Sequence, residues 1–204
     1  MHQKQLSRRD LLRSLAGSAG VWTTAERSRV FGAQRRAPFE SPDAGLVARE
    51  NQQPGTRDWM LRKTGVEPGA KYRCPWIEGY CSRASVRAGE TISFHVSTNP
   101  ASSFTLDIYR LGHYGGTGGR LATRLGPFDG RVQPDPPVGE DRVRICEWTP
   151  CVELRIPEDW VSGVYVGKLT ADRDGTQGYV SFIVRDGRKA DIVFPCSDTT
   201  WQAY

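Results

Sequence analysis

Hydrophobic and polar residues alternate with a period of two through much of the second half of the chain. The stretch from Thr91 to Ser97 places Ile92, Phe94 and Val96 on one face. Apolar residues at every second position are typical of a half-buried β-strand. The same alternation predicts four further strands, separated by turn residues: Phe104–Ile108, Val152–Ile156, Val164–Ala171 and Gln177–Val184.

The segments between these strands favour a β-sandwich. Asp172-Arg173-Asp174-Gly175 predicts a hairpin because glycine accepts a positive φ. No segment with a helical period intervenes, so residues 74–187 are expected to form an all-β, immunoglobulin- or fibronectin-like β-sandwich. Tyr165 lies in a stretch that resembles the tyrosine corner of such folds, in which the phenol bonds to upstream backbone.

A further strand is predicted after the sandwich, at residues 190–194. A strand needs partners that satisfy its backbone and cover its apolar face. We therefore expect residues 188–204 to begin an α/β domain whose remaining elements lie beyond Tyr204.

The positive net charge of the chain is concentrated at the amino terminus. The whole chain carries +5, but residues 1–36 have eight Lys or Arg against two acids, which is +6, so the other 168 residues sum to −1. A basic face for nucleic acid is therefore not indicated. The sequence also contains no run of about 18 apolar residues, the length expected of a membrane-spanning helix.

The amino-terminal residues 1–33 are interpreted as an export signal. Arg8 and Arg9 precede a weakly apolar run, a pattern that resembles the bacterial twin-arginine signal and predicts a periplasmic or extracellular protein. The alternative is a basic amphipathic helix. Residues 34–73, rich in proline, glycine and charge, predict an irregular linker.

Five cysteines and a strand histidine are candidates for disulfides, free thiols or a zinc site. Cys146 with Cys151, or Cys74 with Cys81, are candidates for local disulfides in an oxidising compartment. Zinc sites usually use closer pairs such as C-x-x-C, and His95 lies within a predicted strand. Disulfides or buried free thiols are therefore favoured over zinc.

Other motifs supply no catalytic set. The glycine-rich stretch Tyr114–Arg120 lacks the Lys and Ser/Thr of a phosphate loop and the helix of a dinucleotide loop, so it predicts a tight turn between strands, or a loop that docks on a neighbouring domain. No serine lies in a G-x-S-x-G elbow. Three tryptophans are candidates for sugar stacking, although core or interface positions are the more common role: Trp76, Trp148 and Trp160. No catalytic or organic cofactor-binding residue is assigned.

Several blocks together resemble the large (β) subunit of N,N-dimethylformamidase and its relatives, across about residues 59–204. The blocks are Pro75–Tyr80, Ile108–Gly112 with Tyr114–Gly116, Asp159–Tyr165 with Lys168–Thr170, and Thr200–Tyr204.

The resemblance implies an iron-dependent amide hydrolase. It implies a following α/β domain of glutamine-amidotransferase-like architecture, a small amide substrate, and a mononuclear iron held by two tyrosines and a glutamate. Phenolate and carboxylate oxygens suit Fe(III), which polarises carbonyls and activates water. Tyr204 is the candidate iron ligand in this sequence. The other ligands would lie beyond it, so residues 1–204 alone are expected to be inactive.

Two alternatives remain open at this point. The chain is a secreted carbohydrate- or protein-binding module, or it is a relative that keeps the scaffold without the catalytic ligands. The sequence also leaves room for an oligomer or a small partner subunit.

Overall fold

The structure is a computed structural model that describes residues 45–70, 73–188 and 194–197. The predicted export signal and Tyr204 lie outside the described residues. The strand predicted at residues 190–194 does so too, apart from Phe194, which is 80% exposed.

One short helix and eight strands make up the regular structure of the described residues, with short 3₁₀ turns at Pro68–Ala70, Tyr114–Gly116 and Glu140–Arg142. The elements are α1 (Leu46–Asn51), β1 (Glu78–Cys81), β2 (Ser85–Arg87), β3 (Thr91–Ser97), β4 (Ser103–Leu111), β5 (Gly119–Asp129), β6 (Val152–Arg155), β7 (Gly163–Ala171) and β8 (Gln177–Arg185).

The strands form two sheets, which confirms the predicted all-β sandwich. The three-stranded sheet has the order β1-β3-β6, and the five-stranded sheet has the order β2-β8-β7-β4-β5. Neighbouring strands are antiparallel except β2 and β8, which pair in parallel from Ser85 with Ile183 to Arg87 with Arg185. All five strands predicted from alternation are present.

The core lies between the two sheets. Ile92, Phe94 and Val96 are fully buried, as the alternation predicts. The ring of Phe94 meets that of Phe182 edge-on, with centroids 5.8 Å apart. Burying a side chain of this size contributes about 1.5–3 kcal/mol to folding, so these inward positions account for much of the stability.

Two local motifs read from the sequence are also confirmed. The Tyr165 hydroxyl donates a hydrogen bond of 2.8 Å to the Val161 carbonyl oxygen, as a tyrosine corner requires. The turn between β7 and β8 uses Gly175 at φ 73°, a conformation that favours glycine.

Non-strand segments cover the outer faces of both sheets. Residues 45–63, here called the amino-terminal strap, lie against the five-stranded sheet, for example through a 2.8 Å bond from the Thr56 amide to the Gly119 carbonyl. Residues 130–151, here called the central loop, lie against the three-stranded sheet. Part of the segment predicted as an irregular linker is thus packed on the sandwich.

Candidate functional site

The glycine-rich stretch forms the tight turn between β4 and β5 that the sequence predicts. Gly115, Gly116 and Gly118 all have φ between 63° and 88°, which explains why glycines are needed there. The turn contacts the amino-terminal strap of the same chain, since the Trp59 indole donates to the Thr117 carbonyl at 3.0 Å. Docking on another domain stays a prediction.

A glycine also lets the strap approach the sheet closely. A β-carbon at Gly119 would lie only 2.6 Å from Cδ1 of the Trp59 ring. Any larger residue at this first position of β5 would push the strap away.

A buried arginine, which sequence reasoning missed, joins the strap to the tyrosine corner. Arg110 is 4% exposed and lies at the end of β4. Its guanidinium donates to the carbonyl oxygens of Val161 and Ser162, at 3.3 and 2.8 Å, and to the Tyr114 hydroxyl at 2.9 Å. Tyr114 in turn donates to Glu50 at 2.7 Å. The sequence does contain a signal. Phe104, Leu106 and Ile108 point into the core at every second position of β4, and Arg110 is the next residue in that alternation.

Glu50 receives a second bond, of 2.7 Å, from Nε of Arg120. Burial acts to raise the pKa of the Glu50 carboxyl, but the hydrogen bonds from Tyr114 and Arg120 outweigh it. The pKa therefore lies below its ordinary value of 4.5, and Glu50 is ionised at neutral pH. This arrangement fixes α1 on the sandwich.

A second polar cluster lies under the strap on the outer face of the five-stranded sheet. Asp107 and Lys168 face each other across β4 and β7, and each is 7% exposed. The guanidinium of Arg124 donates to both carboxylate oxygens of Asp107, at 2.6 and 2.8 Å. Lys168 donates to the Asp58 carbonyl of the strap, and burial lowers its pKa despite the nearby carboxylates. All these charges have partners, so the cluster fits an anchoring role better than acid–base chemistry.

Aromatic side chains hold the central loop on the three-stranded sheet. Tyr80 stacks on His95 with ring centroids 4.6 Å apart, and its hydroxyl accepts a 3.0 Å bond from the Trp148 amide. Trp148 is 6% exposed and Trp160 stacks on Tyr165 at 4.7 Å, while Trp76 is half-buried. The more common role predicted for tryptophans, in packing, is therefore the one observed for Trp148 and Trp160.

All five cysteines are free thiols, so the two candidate disulfides do not form and the free-thiol alternative is the one observed. Cys81 packs on the hydrophobic core, and burial raises its pKa to about 12. Cys151 places its sulfur 3.4 Å from the Val96 carbonyl, away from Cys146 in the central loop. Cys146 also has a raised pKa, chiefly through burial.

The described residues do not fit an iron site of the implied kind. Within the described ranges, no group of three or more His, Cys, Asp and Glu residues could hold a metal ion. The hydroxyls of Tyr114, Tyr165 and Tyr179 already donate to protein oxygens, those of Glu50, Val161 and Trp59. Tyr204, the predicted ligand, lies outside the described residues.

In the part of the chain that the structure describes, no helix is long and apolar enough to cross a membrane.

The family model described as "N,N-dimethylformamidase beta subunit-like, C-terminal" matches residues 105–204, from within β4 through β8 and onward. No curated protein matches the chain.

Proposed function

We propose that the chain contributes the β-sandwich scaffold of an amide hydrolase. The proposal rests on the match of residues 105–204 to the N,N-dimethylformamidase beta subunit-like family. The family match is the observation that carries the proposal. It also supports the predicted resemblance to this family, which rested on short sequence blocks.

The finer proposal is that the whole protein is an exported, iron-dependent hydrolase of small linear amides. The sandwich would support a following α/β domain, and Tyr204 would be one of the oxygen ligands of the iron. Iron held by phenolate and carboxylate ligands supplies Lewis-acid activation of an amide carbonyl and of water. The described residues contribute support: their charged clusters fix the strap, the tyrosine corner and the turn after β4 in one arrangement.

The test uses the full-length gene product. We expect bound iron by elemental analysis and release of formate from N,N-dimethylformamide. Tyr204→Phe should lower iron content and reduce kcat/KM by more than the roughly 10–100-fold that loss of an outer-shell partner costs. Tyr109→Phe is the matched control, since its hydroxyl makes only a 3.5 Å contact to Asp107.

Three results would separate the alternatives. A well-folded protein without iron that releases no formate would be a scaffold without catalytic ligands. Unchanged iron in Tyr204→Phe would remove this residue from the ligand set. Cytoplasmic retention of a fusion carrying residues 1–33, or export that is unchanged by Arg8→Lys with Arg9→Lys, would contradict export by the twin-arginine route.

A further inference from the structure

The polypeptide leaves the sandwich through a short segment that is bonded back to it. Strand β8 ends at Arg185, and Asp186-Gly187-Arg188 follows. The guanidinium of Arg188 donates to the Asp186 carboxylate through Nε, at 2.7 Å, and through Nη2. The Arg188 amide donates to the other carboxylate oxygen at 3.3 Å. We call residues 186–188 the exit clamp.

The exit clamp is attached to the tyrosine corner through Ser162, since Nη2 of Arg188 also donates to the Ser162 hydroxyl at 3.3 Å. The side chains of Arg188 and Asp186 are only 26% and 28% exposed, so water screens this pair less than a fully exposed one. Burial acts to raise the pKa of Asp186, but the bonds from Arg188 and Ser162 outweigh it. The pKa therefore lies below its ordinary value of 3.8, and the carboxylate is charged at neutral pH.

Ser162 also belongs to the network that holds the amino-terminal strap. Its carbonyl accepts a 2.8 Å bond from Arg110, and Arg110 donates to Tyr114. Tyr114 in turn donates to Glu50 of α1. A connected set of hydrogen bonds therefore runs from α1, which precedes the strands, to Arg188, which follows them. The segments on both sides of the sandwich are held at the end that carries the tyrosine corner.

We propose that Arg188 is a positioning residue. Through Asp186 and Ser162 it fixes the direction in which the polypeptide leaves the sandwich, and so it orients the domain that follows. Domains of one chain move relative to each other unless their contacts prevent it, and a linker bonded to one domain restricts that motion. The inference rests on the proposed function, in which the sandwich is the scaffold of a following domain.

The first experiment measures backbone order at residues 187 and 188 of the 204-residue chain by ¹⁵N relaxation. We expect order parameters above about 0.8, as in rigid backbone, and values below about 0.6 in Arg188→Met. Arg188→Lys keeps the charge beside Asp186 and should retain values above about 0.6. The matched control is Arg62→Met, which removes an exposed ion pair of the strap and should leave residues 187 and 188 rigid.

Two results of this experiment would overturn the proposal. Order parameters below about 0.6 in the unmodified chain would mean that the exit clamp does not hold in solution. Equal order in the unmodified chain and in Arg188→Met would mean that other contacts fix the segment.

The second experiment uses small-angle X-ray scattering of the full-length gene product. Arg188→Met should increase the radius of gyration and the maximum dimension, because a released domain samples more extended arrangements, whereas Arg62→Met should change neither. Unchanged scattering in Arg188→Met would mean that another contact orients the domain, and the proposal would be wrong. Iron content and formate release are measured on the same samples. If both are absent while the scattering changes as expected, the proposed hydrolase function fails and the positioning role of Arg188 stands.

Discussion

The amino-terminal strap and the central loop cover opposite sheets of one sandwich by different chemistry. The strap is attached through charges and backbone oxygens: Glu50 pairs with Arg120, and Lys168 donates to the Asp58 carbonyl. The central loop is attached mainly through two backbone amides, those of Gln133 and Trp148, which donate to the Ser97 and Tyr80 hydroxyls, with one ion pair between Asp135 and Arg73. The strap therefore buries charge, whereas the loop leaves branched apolar residues outside: Val132, Val138, Val143 and Ile145 are each at least 54% exposed.

This difference shows that the burial of residues on the outer face of a sheet depends on the segment that packs over that face. Tyr109 and Lys168 alternate with core residues, yet they are 1% and 7% exposed because the strap lies over them. Apolar residues that remain exposed after both faces are covered indicate an interaction surface. Four such residues lie on the outward side of the central loop.

The largest effect is expected from the residue that links the strap to the tyrosine corner. Arg110→Met would leave the Ser162 carbonyl and the Tyr114 hydroxyl without their buried donor. We expect the free energy of unfolding to fall by about 3–5 kcal/mol, measured by urea denaturation of the full chain. Arg62→Met removes an ion pair whose arginine side chain is 71% exposed, and should cost less than about 1 kcal/mol. Similar losses for both variants would refute the role assigned to Arg110.

A smaller effect is expected where the central loop is held without charge. The Gln133 side chain donates to the Thr149 carbonyl at 2.8 Å and accepts from its amide at 3.3 Å. Gln133→Leu should lower the free energy of unfolding by about 1–3 kcal/mol and increase hydrogen exchange in residues 130–151 only. Gln53→Leu, at an exposed strap position, should change it by less than about 0.5 kcal/mol. Faster exchange in the strap as well would mean that the two coverings are coupled.

The smallest effect is a pH dependence that is expected for the amino-terminal strap but not for the central loop. Because the pKa of Glu50 is lowered in the folded chain, its stabilising contribution is present above the unfolded pKa and is lost as pH falls through the folded one. Backbone amides of residues 45–63 should therefore shift in NMR spectra below pH 4.5, while the Gln133 contacts persist. Glu50→Gln should abolish this titration, while its amide oxygen can still accept from Tyr114 and Arg120. A strap titration that persists in Glu50→Gln would assign it to another group.

The sequence predicted the elements whose structure depends on neighbouring residues alone. Alternation located β3 to its observed bounds, and the tyrosine corner at Tyr165 followed from a short motif. Strand β5 was missed because Gly126 and Pro127 interrupt its pattern, and β1 and β2 were missed because they have only four and three residues. The packing of the strap was missed because it depends on residues far apart in sequence.

The candidate functional residues were harder to predict for the same reason. A charged residue in a strand is usually assigned to the surface. Arg110 is nevertheless buried because the tyrosine corner and the turn after β4 supply its partners, and Lys168 is buried because the strap supplies its partner. For the cysteines, spacing left local disulfides and buried free thiols open. The thiols are free, and Cys81 and Cys151 pack against the core.

The parallel pairing of β2 with β8 has a mechanical consequence. These strands lie close to the two ends of the sandwich, and their ladder joins Ser85–Arg87 to Ile183–Arg185. A force that pulls the ends apart would act along the strands in opposite directions, so the ladder is loaded in shear and its hydrogen bonds share the tension. Antiparallel strands pulled at their adjacent ends would unzip one bond at a time. The sandwich should therefore resist stretching in single-molecule experiments until this short ladder ruptures as a unit.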